Sequence, residues 1–574
     1  MSDVARASIR PVGRSSFFFD WFSWLAAAVS IFVAAVIIYP LGWVAIDVFF
    51  DGWTLDPAPF EQFMREPNLG ALFLDTLVVV GGAAIMAMIV GGVFAWLTER
   101  TDIGMPFLGK TLPIIPLLVP PIAGAIGWVL LAAPRAGFLN AWVANAAAWF
   151  GFDDVGPVFN IFSWPGLMGV YVIYLVPHVY LTVSAALRNL DPSLEEASRM
   201  SGAGPWATLR MVTLPAVMPA MLSGGILALI TGFALFSIPL IIGGQSGIEI
   251  LSVRIVHSMI ASYPPKPGVA MLLGLMIVGL IGLSWLIQRS VIRSGKFATI
   301  GGRGMRVALV RFGMFRWPIR GLMILYLIVT SVLPLVALAI VSVQPFWSSN
   351  LNIANLGLKH YVRLFSANSM AWEGLRNSIL LGIAGATVGM LIAAIVTFYI
   401  DRHRSSGFAA FVDGATKLPA VVSHLVIGIA FISAFAGAPF FMHGTMLILF
   451  LAYIVLYMPQ ASLTAGSALA QVSRQLVEAS LVSGASTGAT FFRVTLPLII
   501  PGLAAGWTML FVLTAGDITA SAMLAGNRNP VSGFVILELW TNGSFPPLAG
   551  FALIITAMMS TVVVISMWLT RKRF

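Results

Sequence analysis

Few side chains in this 574-residue chain are of a type and in a setting to do chemistry. Asp517, within Thr514-Ala-Gly-Asp517-Ile-Thr519, lies in a long apolar run, where a carboxylate is costly and so is a default functional candidate. Two readings of it weigh equally: contact with a cation in a pathway, or a cap on a helix break at Gly516. His178 follows Pro177 in another apolar run, and a hydrogen-bonded interior histidine beside a proline-induced gap outweighs proton transfer or ligation there. Asp517, Thr519, Ser237 and His178 form the candidate substrate pathway. His424 is similarly isolated, and Asp47 and Asp75 fall near the ends of their runs. No His/Asp/Glu set has metal-ligand spacing, and there is neither a nucleophile elbow nor an acid–base carboxylate pair, so no catalytic residue and no metal site is expected. The absence of cysteine removes disulfides and thiolate chemistry, and the 26 methionines are scattered as filler rather than as a metal path.

Gly104-Met-Pro-Phe-Leu-Gly109-Lys110-Thr111 matches the phosphate-loop pattern letter for letter. That chemistry needs a buried strand before the loop and a helix after it, so that amides and the helix N-terminus cradle the phosphates. Here an apolar helix ends near Leu97, and Pro113 and Pro116 interrupt the segment after the loop. Nucleotide is expected on another polypeptide.

The strongest pattern is a repeat. Glu196-Ala197-Ser198-Arg-Met-Ser-Gly202-Ala203, running on to Val212-Thr-Leu-Pro215, recurs as Glu478-Ala479-Ser480-Leu-Val-Ser-Gly484-Ala485, running on to Val494-Thr-Leu-Pro497, at an offset of 282 residues. In that register Tyr171–Pro219 and Tyr453–Pro501 share 20 identities in 49 positions. So long a period means two copies of a domain rather than a solenoid. Glu196 and Glu478 are expected to open a short helix, where free amides and the helix dipole favour a carboxylate. Gly202 and Gly484 permit a sharp turn and a close approach by a partner's backbone. Pro215 and Pro497 suit the first turn of the next helix. The same register pairs His178 with Gln460 and, if it extends past Pro501, Asp517 with Leu235.

The elements that must position these residues are membrane helices. Hydrophobic residues make up 59% of the chain and charged residues 9%, against about 25% charged in soluble chains. An all-α polytopic membrane protein is the consequence. Apolar runs long enough to cross a bilayer fall at 22–49, 73–97, 111–133, 163–186, 215–240 and 268–288, then at 321–345, 377–400, 415–437, 444–467, 498–522 and 547–570. The first is too long for a signal-peptide core and is expected to be retained. With the N-terminus inside, one side holds 24 of the 32 Lys/Arg, eight of them in the acid-free linker 289–320. The positive-inside rule makes that side cytoplasmic, and with it both termini and both Glu-Ala-Ser loops. The net charge of +10 therefore answers to lipid headgroups rather than to nucleic acid. Segments 134–162, 241–267 and 523–546, rich in Gly, Pro and aromatics, are candidates for re-entrant caps on the outer side.

The Glu-Ala-Ser…Gly…Leu-Pro pattern, in a polar gap between spans and present twice, resembles the EAA loop of ABC importer permeases. That resemblance implies two tandem six-helix type I permease domains with pseudo-twofold symmetry, at 1–305 and 306–574, with EAA loops at about 188–214 and 470–497. It implies that Glu196, Ala197, Ser198, Gly202 and Ala203, with Glu478, Ala479, Ser480, Gly484 and Ala485, couple to two copies of a nucleotide-binding ATPase that carries the ATP and Mg. It implies also a bacterial inner-membrane location and a periplasmic solute-binding protein that docks outside, near 50–72 and 346–374, segments that by sequence alone read as solvated loops. No cofactor is expected in this chain. The fused form and Arg188-Asn-Leu-Asp-Pro-Ser-Leu-Glu-Glu-Ala197 are most similar to the iron(III) branch, which is near permeases for thiamine, polyamines and 2-aminoethylphosphonate. The chain departs from that branch at Ala234-Leu-Phe-Ser-Ile-Pro239, which lacks the acidic residue before the proline, and at Gly516-Asp517, where the branch has an Arg-Glu pair. An ion-coupled secondary transporter is the alternative from another class, although it commonly carries matched intramembrane charges and Asp517 has no match. A membrane-embedded enzyme is a third, and lacks a catalytic cluster.

Overall fold

The computed structural model describes residues 21–571 apart from 52, 106–108, 110–111, 153–154, 295–308 and 368. The tail bearing Arg6, Arg10 and Arg14, the residues Lys110 and Thr111 of the phosphate-loop look-alike, the expected domain boundary at 305, and Lys572 and Arg573 lie outside the described residues.

Helix dominates. Among the described residues the strands are the two-residue segments Phe50–Asp51 and Thr54–Leu55. The first half contains α1 (Trp21–Phe49), α2 (Leu69–Arg100), α3 (Pro121–Ala132), α4 (Trp164–Asn189), the short α5 (Pro192–Met200), α6 (Pro205–Ala234), α7 (Leu251–Met259) and α8 (Pro267–Val291). The second contains α9 (Gly313–Val343), α10 (Met370–Arg402), α11 (His424–Phe435), α12 (Met446–Leu469), the short α13 (Arg474–Val482), α14 (Thr487–Ala515), α15 (Thr519–Leu524), α16 (Ser532–Thr541) and α17 (Phe545–Ser566). Ten of these are apolar and long enough to cross a bilayer. Local chemistry sets several starts: Ser163 accepts from the Gly166 amide ahead of α4, and Ser369 from the Trp372 amide ahead of α10.

Two expected spans in each half are not single rods. The runs 111–133 and 415–437 are each bent, by 98° between Leu118 and Pro121 and by 109° between Ala420 and His424. Proline explains the first, since Pro120 before Pro121 is driven to extended backbone (ψ 136). The runs 215–240 and 498–522 stop early, at Ala234 and Ala515. Beyond the first stop lies another bent pair, Pro239–Ser246 with Leu251–Met259, overlapping the segment 241–267 expected to hold a re-entrant cap.

The halves are interleaved. α1 packs chiefly on α10 and α11 of the second half, where Ser433 Oγ donates to Asp47 Oδ2 at 2.7 Å. α9 in turn packs on α3, with Gly127 directly against Pro334. α8 meets α11 at Gly274 and Val426. One continuous apolar core runs through both halves.

Candidate functional site

The two motif loops have the same backbone. α5 and α13 are nine residues each, and each ends in a glycine at φ +87°, Gly202 and Gly484. The closing hydrogen bonds are those of a Schellman motif: Ala203 N to Ser198 O at 3.1 Å and Gly202 N to Arg199 O at 3.0 Å, then Ala485 N to Ser480 O at 3.1 Å and Gly484 N to Leu481 O at 3.0 Å. The motif serines clip the short helix to the next one, Ser198 to Thr208 at 3.1 Å and Ser480 to Thr490 at 3.0 Å. A π-helical turn, Leu209–Thr213 and Phe491–Thr495, follows the opening turn of α6 and of α14, so Pro215 and Pro497 lie inside these helices just past the π-helical turns and not, as expected, in the first turns.

One expectation is corrected. Glu196 and Glu478 do not open their helices but stand fifth in them. The first helix starts earlier because Asp191 accepts from the Ser193 amide at 2.9 Å and Pro192 takes the first helical position, where no amide is missed. The first-turn carboxylate is Glu195, which is buried against Arg100 with a closest approach of 3.0 Å.

The outer face of both loops is bare. A Cβ at Gly202 or Gly484 would meet nothing within 4 Å, and Ala197, Ala479 and Glu478 are exposed. Met200 is 90% exposed, its repeat partner Val482 is 88% exposed, and Trp206 is 73% exposed. Both loops thus expose large apolar side chains on otherwise polar segments.

The four candidate pathway residues line one cavity of about 250 Å³, to which both halves contribute. The stops of α6 and α14 face each other across it: Ala234, Leu235, Phe236 and Ser237 on one wall, Gly516, Asp517, Ile518 and Thr519 on the other. These quartets are related by the 282-residue register, so Leu235 and Asp517 are structural as well as sequence partners. Each break satisfies its freed groups differently. The Leu235 carbonyl accepts from Tyr171 Oη and Ser252 Oγ, whereas Asp517 Oδ2 accepts from the Ser521 amide at 2.9 Å and Oδ1 from Tyr457 Oη at 2.9 Å. Asp517 thus satisfies an amide of the first turn of α15 while its carboxylate also borders the cavity.

His178 points its Nδ1 at the Tyr174 carbonyl, 3.2 Å away, and lines the same cavity. His424 is not isolated: it stands edge-on to Tyr457 with ring centroids 5.7 Å apart, and borders the cavity with Asp517. Sequence spacing misses His424 and Tyr457 because they sit on separate helices. No group of three or more His, Cys, Asp or Glu among the described residues is placed to hold a metal ion, and no Lys or Arg lines the cavity.

The model of the family "Binding-protein-dependent transport system inner membrane component" matches residues 5–293 and 385–572, which is most of the chain and both copies of the repeat. The ferric transport system permease protein of Actinobacillus pleuropneumoniae is 24% identical over 538 residues, covering 93% of this chain and 76% of the relative. The molybdenum transport system permease protein of Escherichia coli is 26% identical over 241 residues, 41% of this chain and all of the relative. The spermidine/putrescine transport system permease protein of Haemophilus influenzae is 23% identical over 212 residues, 37% of this chain and 81% of the relative. With two interleaved helical halves, twinned motif loops and a cavity between them, this chain belongs to the inner membrane component family of binding-protein-dependent transport systems, as a fused two-domain ABC importer permease.

Proposed function

We infer that the chain carries a small cationic solute, iron(III) foremost, across the bacterial inner membrane, taking it from a periplasmic binding protein and drawing on ATP hydrolysed by two ATPase subunits on separate chains. The loops at Glu196–Gly202 and Glu478–Gly484 lie on the cytoplasmic side in this reading and fit clefts on the two ATPases. ATP-driven closure of the pair moves the loops and rocks the halves, opening the cavity alternately to either side. Hydrolysis is not this chain's work.

One observation carries the cargo assignment: the cavity between the halves presents a carboxylate, Asp517, and two imidazoles, His178 and His424, with no Lys or Arg among its lining residues. Such a lining favours a cation over an oxyanion, and hard trivalent iron favours oxygen donors such as Asp517, Thr519 and Ser237. The same lining suits a polyamine, which is the second reading, and the similarity to a spermidine/putrescine permease supports it. Thiamine and 2-aminoethylphosphonate remain in the test set.

The experiment is uptake into proteoliposomes holding the chain with its ATPase and binding-protein partners. Radioiron, putrescine, thiamine, 2-aminoethylphosphonate and molybdate are offered in turn. ATP-dependent accumulation of iron is the expected outcome. Accumulation of molybdate would overturn the cationic reading, and uptake by the chain alone on an ion gradient would replace the importer by a secondary transporter.

A further inference from the structure

The two loops match in backbone but not in how they are fastened. In the first half both terminal residues of α2 reach across to their neighbours. Glu99 accepts from Ser184 Oγ at 2.7 Å and pairs with Arg188 at 2.9 Å. Arg100, 2% exposed, pairs with Glu195 of α5 and donates to the Leu187 carbonyl at 2.6 Å, while Thr213 Oγ1 donates to Glu195 at 2.6 Å. Losing either member of such a pair leaves an uncompensated buried charge, so α5 cannot shift freely against α2.

α10 ends on the corresponding acid–base dipeptide, Asp401-Arg402. Yet the repeat register places Gly466, Ala470 and Val477 where the first half has Ser184, Arg188 and Glu195. Asp401 pairs instead with its near neighbour Arg404, and Arg402 makes no ion pair among the described residues. Thr495, the counterpart of Thr213, is fully buried with its hydroxyl unpartnered. A hollow of about 430 Å³ lies beside α13, walled in part by Arg402, Val477, Glu478 and Leu481.

The first fastening also reaches into the other half. Val310 N donates to the Arg100 carbonyl at 2.9 Å, and Asp102 N donates to the Val310 carbonyl at 3.1 Å. Arg320, at the foot of α9, donates to the carbonyls of Asp102 and Ile103 at 2.9 and 3.0 Å. A continuous polar chain therefore joins α5, the end of α2 and α9.

We propose that Arg100 and Glu195 are positioning residues that make the first motif loop, α2 and the foot of α9 one rigid body, and that the second loop is the compliant one, which shifts against α10 over the hollow. The proposal rests on the importer reading for its consequence: movement entering at the first loop passes undiminished to the second half's first span, whereas movement entering at the second loop is partly absorbed locally. Both ends of the contrast are set by side chains and not by backbone, which is the same in the two loops.

The test exploits the absence of cysteine, which lets introduced cysteines carry spin labels without background. Met200 and Val482 are exposed repeat partners on the two loops, and Ile89 and Leu391 are exposed at matching heights on α2 and α10. Distance distributions are measured in nanodiscs for the pair Met200→Cys with Ile89→Cys and the pair Val482→Cys with Leu391→Cys. The second distribution is expected to be the broader. Glu195→Gln broadens the first, and Val477→Glu, which offers Arg402 and Thr495 the missing carboxylate, narrows the second. Equal widths in the parent chain, or widths that neither substitution changes, overturn the proposal. A parallel measurement in the assembled transporter counts solute moved per ATP: Glu195→Gln is expected to lower it several-fold while the ATPase still co-purifies. If the ATPase never associates with the parent chain, the importer reading fails while the distance measurement still decides the fastening.

Discussion

Gly484 offers the sharpest separation of folding from docking. It holds φ +87°, and a Cβ there would meet nothing within 4 Å. Any other residue then carries only the cost of left-handed backbone, about 1–2 kcal/mol, whatever its size. Gly484→Ala and Gly484→Trp are therefore expected to melt together, within about 0.5 kcal/mol of each other, both slightly below the parent. Their binding behaviour should diverge. If a partner's backbone closes on this loop, the indole overpacks the contact by up to about 3 kcal/mol, on the order of a hundredfold in affinity, while the alanine methyl is tolerated. The assay is thermal unfolding of the detergent-solubilised chain beside co-purification of the ATPase, and then uptake. Adding Glu196→Arg to Gly484→Trp extends the block to both loops and is expected to abolish transport without loss of folding. Parent-level co-purification and transport in the double variant would refute the docking role, and a Trp variant that alone fails to fold would refute the claim that the space beyond Gly484 is empty.

Particular contacts set three further outcomes. Asp517→Leu copies its repeat partner but orphans the Ser521 amide and Tyr457 hydroxyl, costing about 1–3 kcal/mol in thermal unfolding; Asp517→Asn keeps an acceptor and most of the stability, and is expected to lose cation uptake instead. Ser198→Ala and Ser480→Ala each remove one hydroxyl clip of nearly equal length, so each should cost about 1 kcal/mol, and a large inequality between them would contradict the equivalence of the two clips. Gly127→Ala would place a Cβ 2.6 Å from Pro334 Cβ and 2.8 Å from its carbonyl oxygen, and is expected to destabilise by about 1–3 kcal/mol through the contact between halves. Gly169→Ala, where a Cβ meets nothing within 4 Å, is the control, and should be neutral or gain up to about 1 kcal/mol as a helical Gly replaced by Ala.

Much of the architecture is open to sequence reasoning because membrane helices obey a one-dimensional rule: with no water to satisfy the backbone, an apolar run of sufficient length must be helical. Ten of the twelve expected runs do contain helices long and apolar enough to cross a bilayer. The bends at Pro120-Pro121 and after Ala420 are harder to foresee, since proline inside a span is often absorbed by neighbouring helices, and whether it kinks or breaks depends on packing. The start of the motif helix escapes sequence reasoning for a similar reason. Repetition directs attention to Glu196, whereas the cap that sets the start, Asp191-Pro192, is not repeated, its counterparts being Ser473 and Arg474.

The sequence by itself determined that the chain is two copies of one helical membrane domain and that each copy carries the same short motif with a glycine suited to a sharp turn. Identity at a constant offset, hydropathy and glycine conformation are all properties of residues near one another in the chain. Only the tertiary structure decided that α1 belongs with the second half, that Asp517 and Leu235 stand at matching helix breaks, that Asp517, His178 and His424 border one cavity, and that Arg100 meets Glu195 while Arg402 makes no ion pair among the described residues. Those facts depend on which helix faces give way to one another when two interleaved halves close-pack, and close packing is settled by shapes brought together from distant parts of the chain.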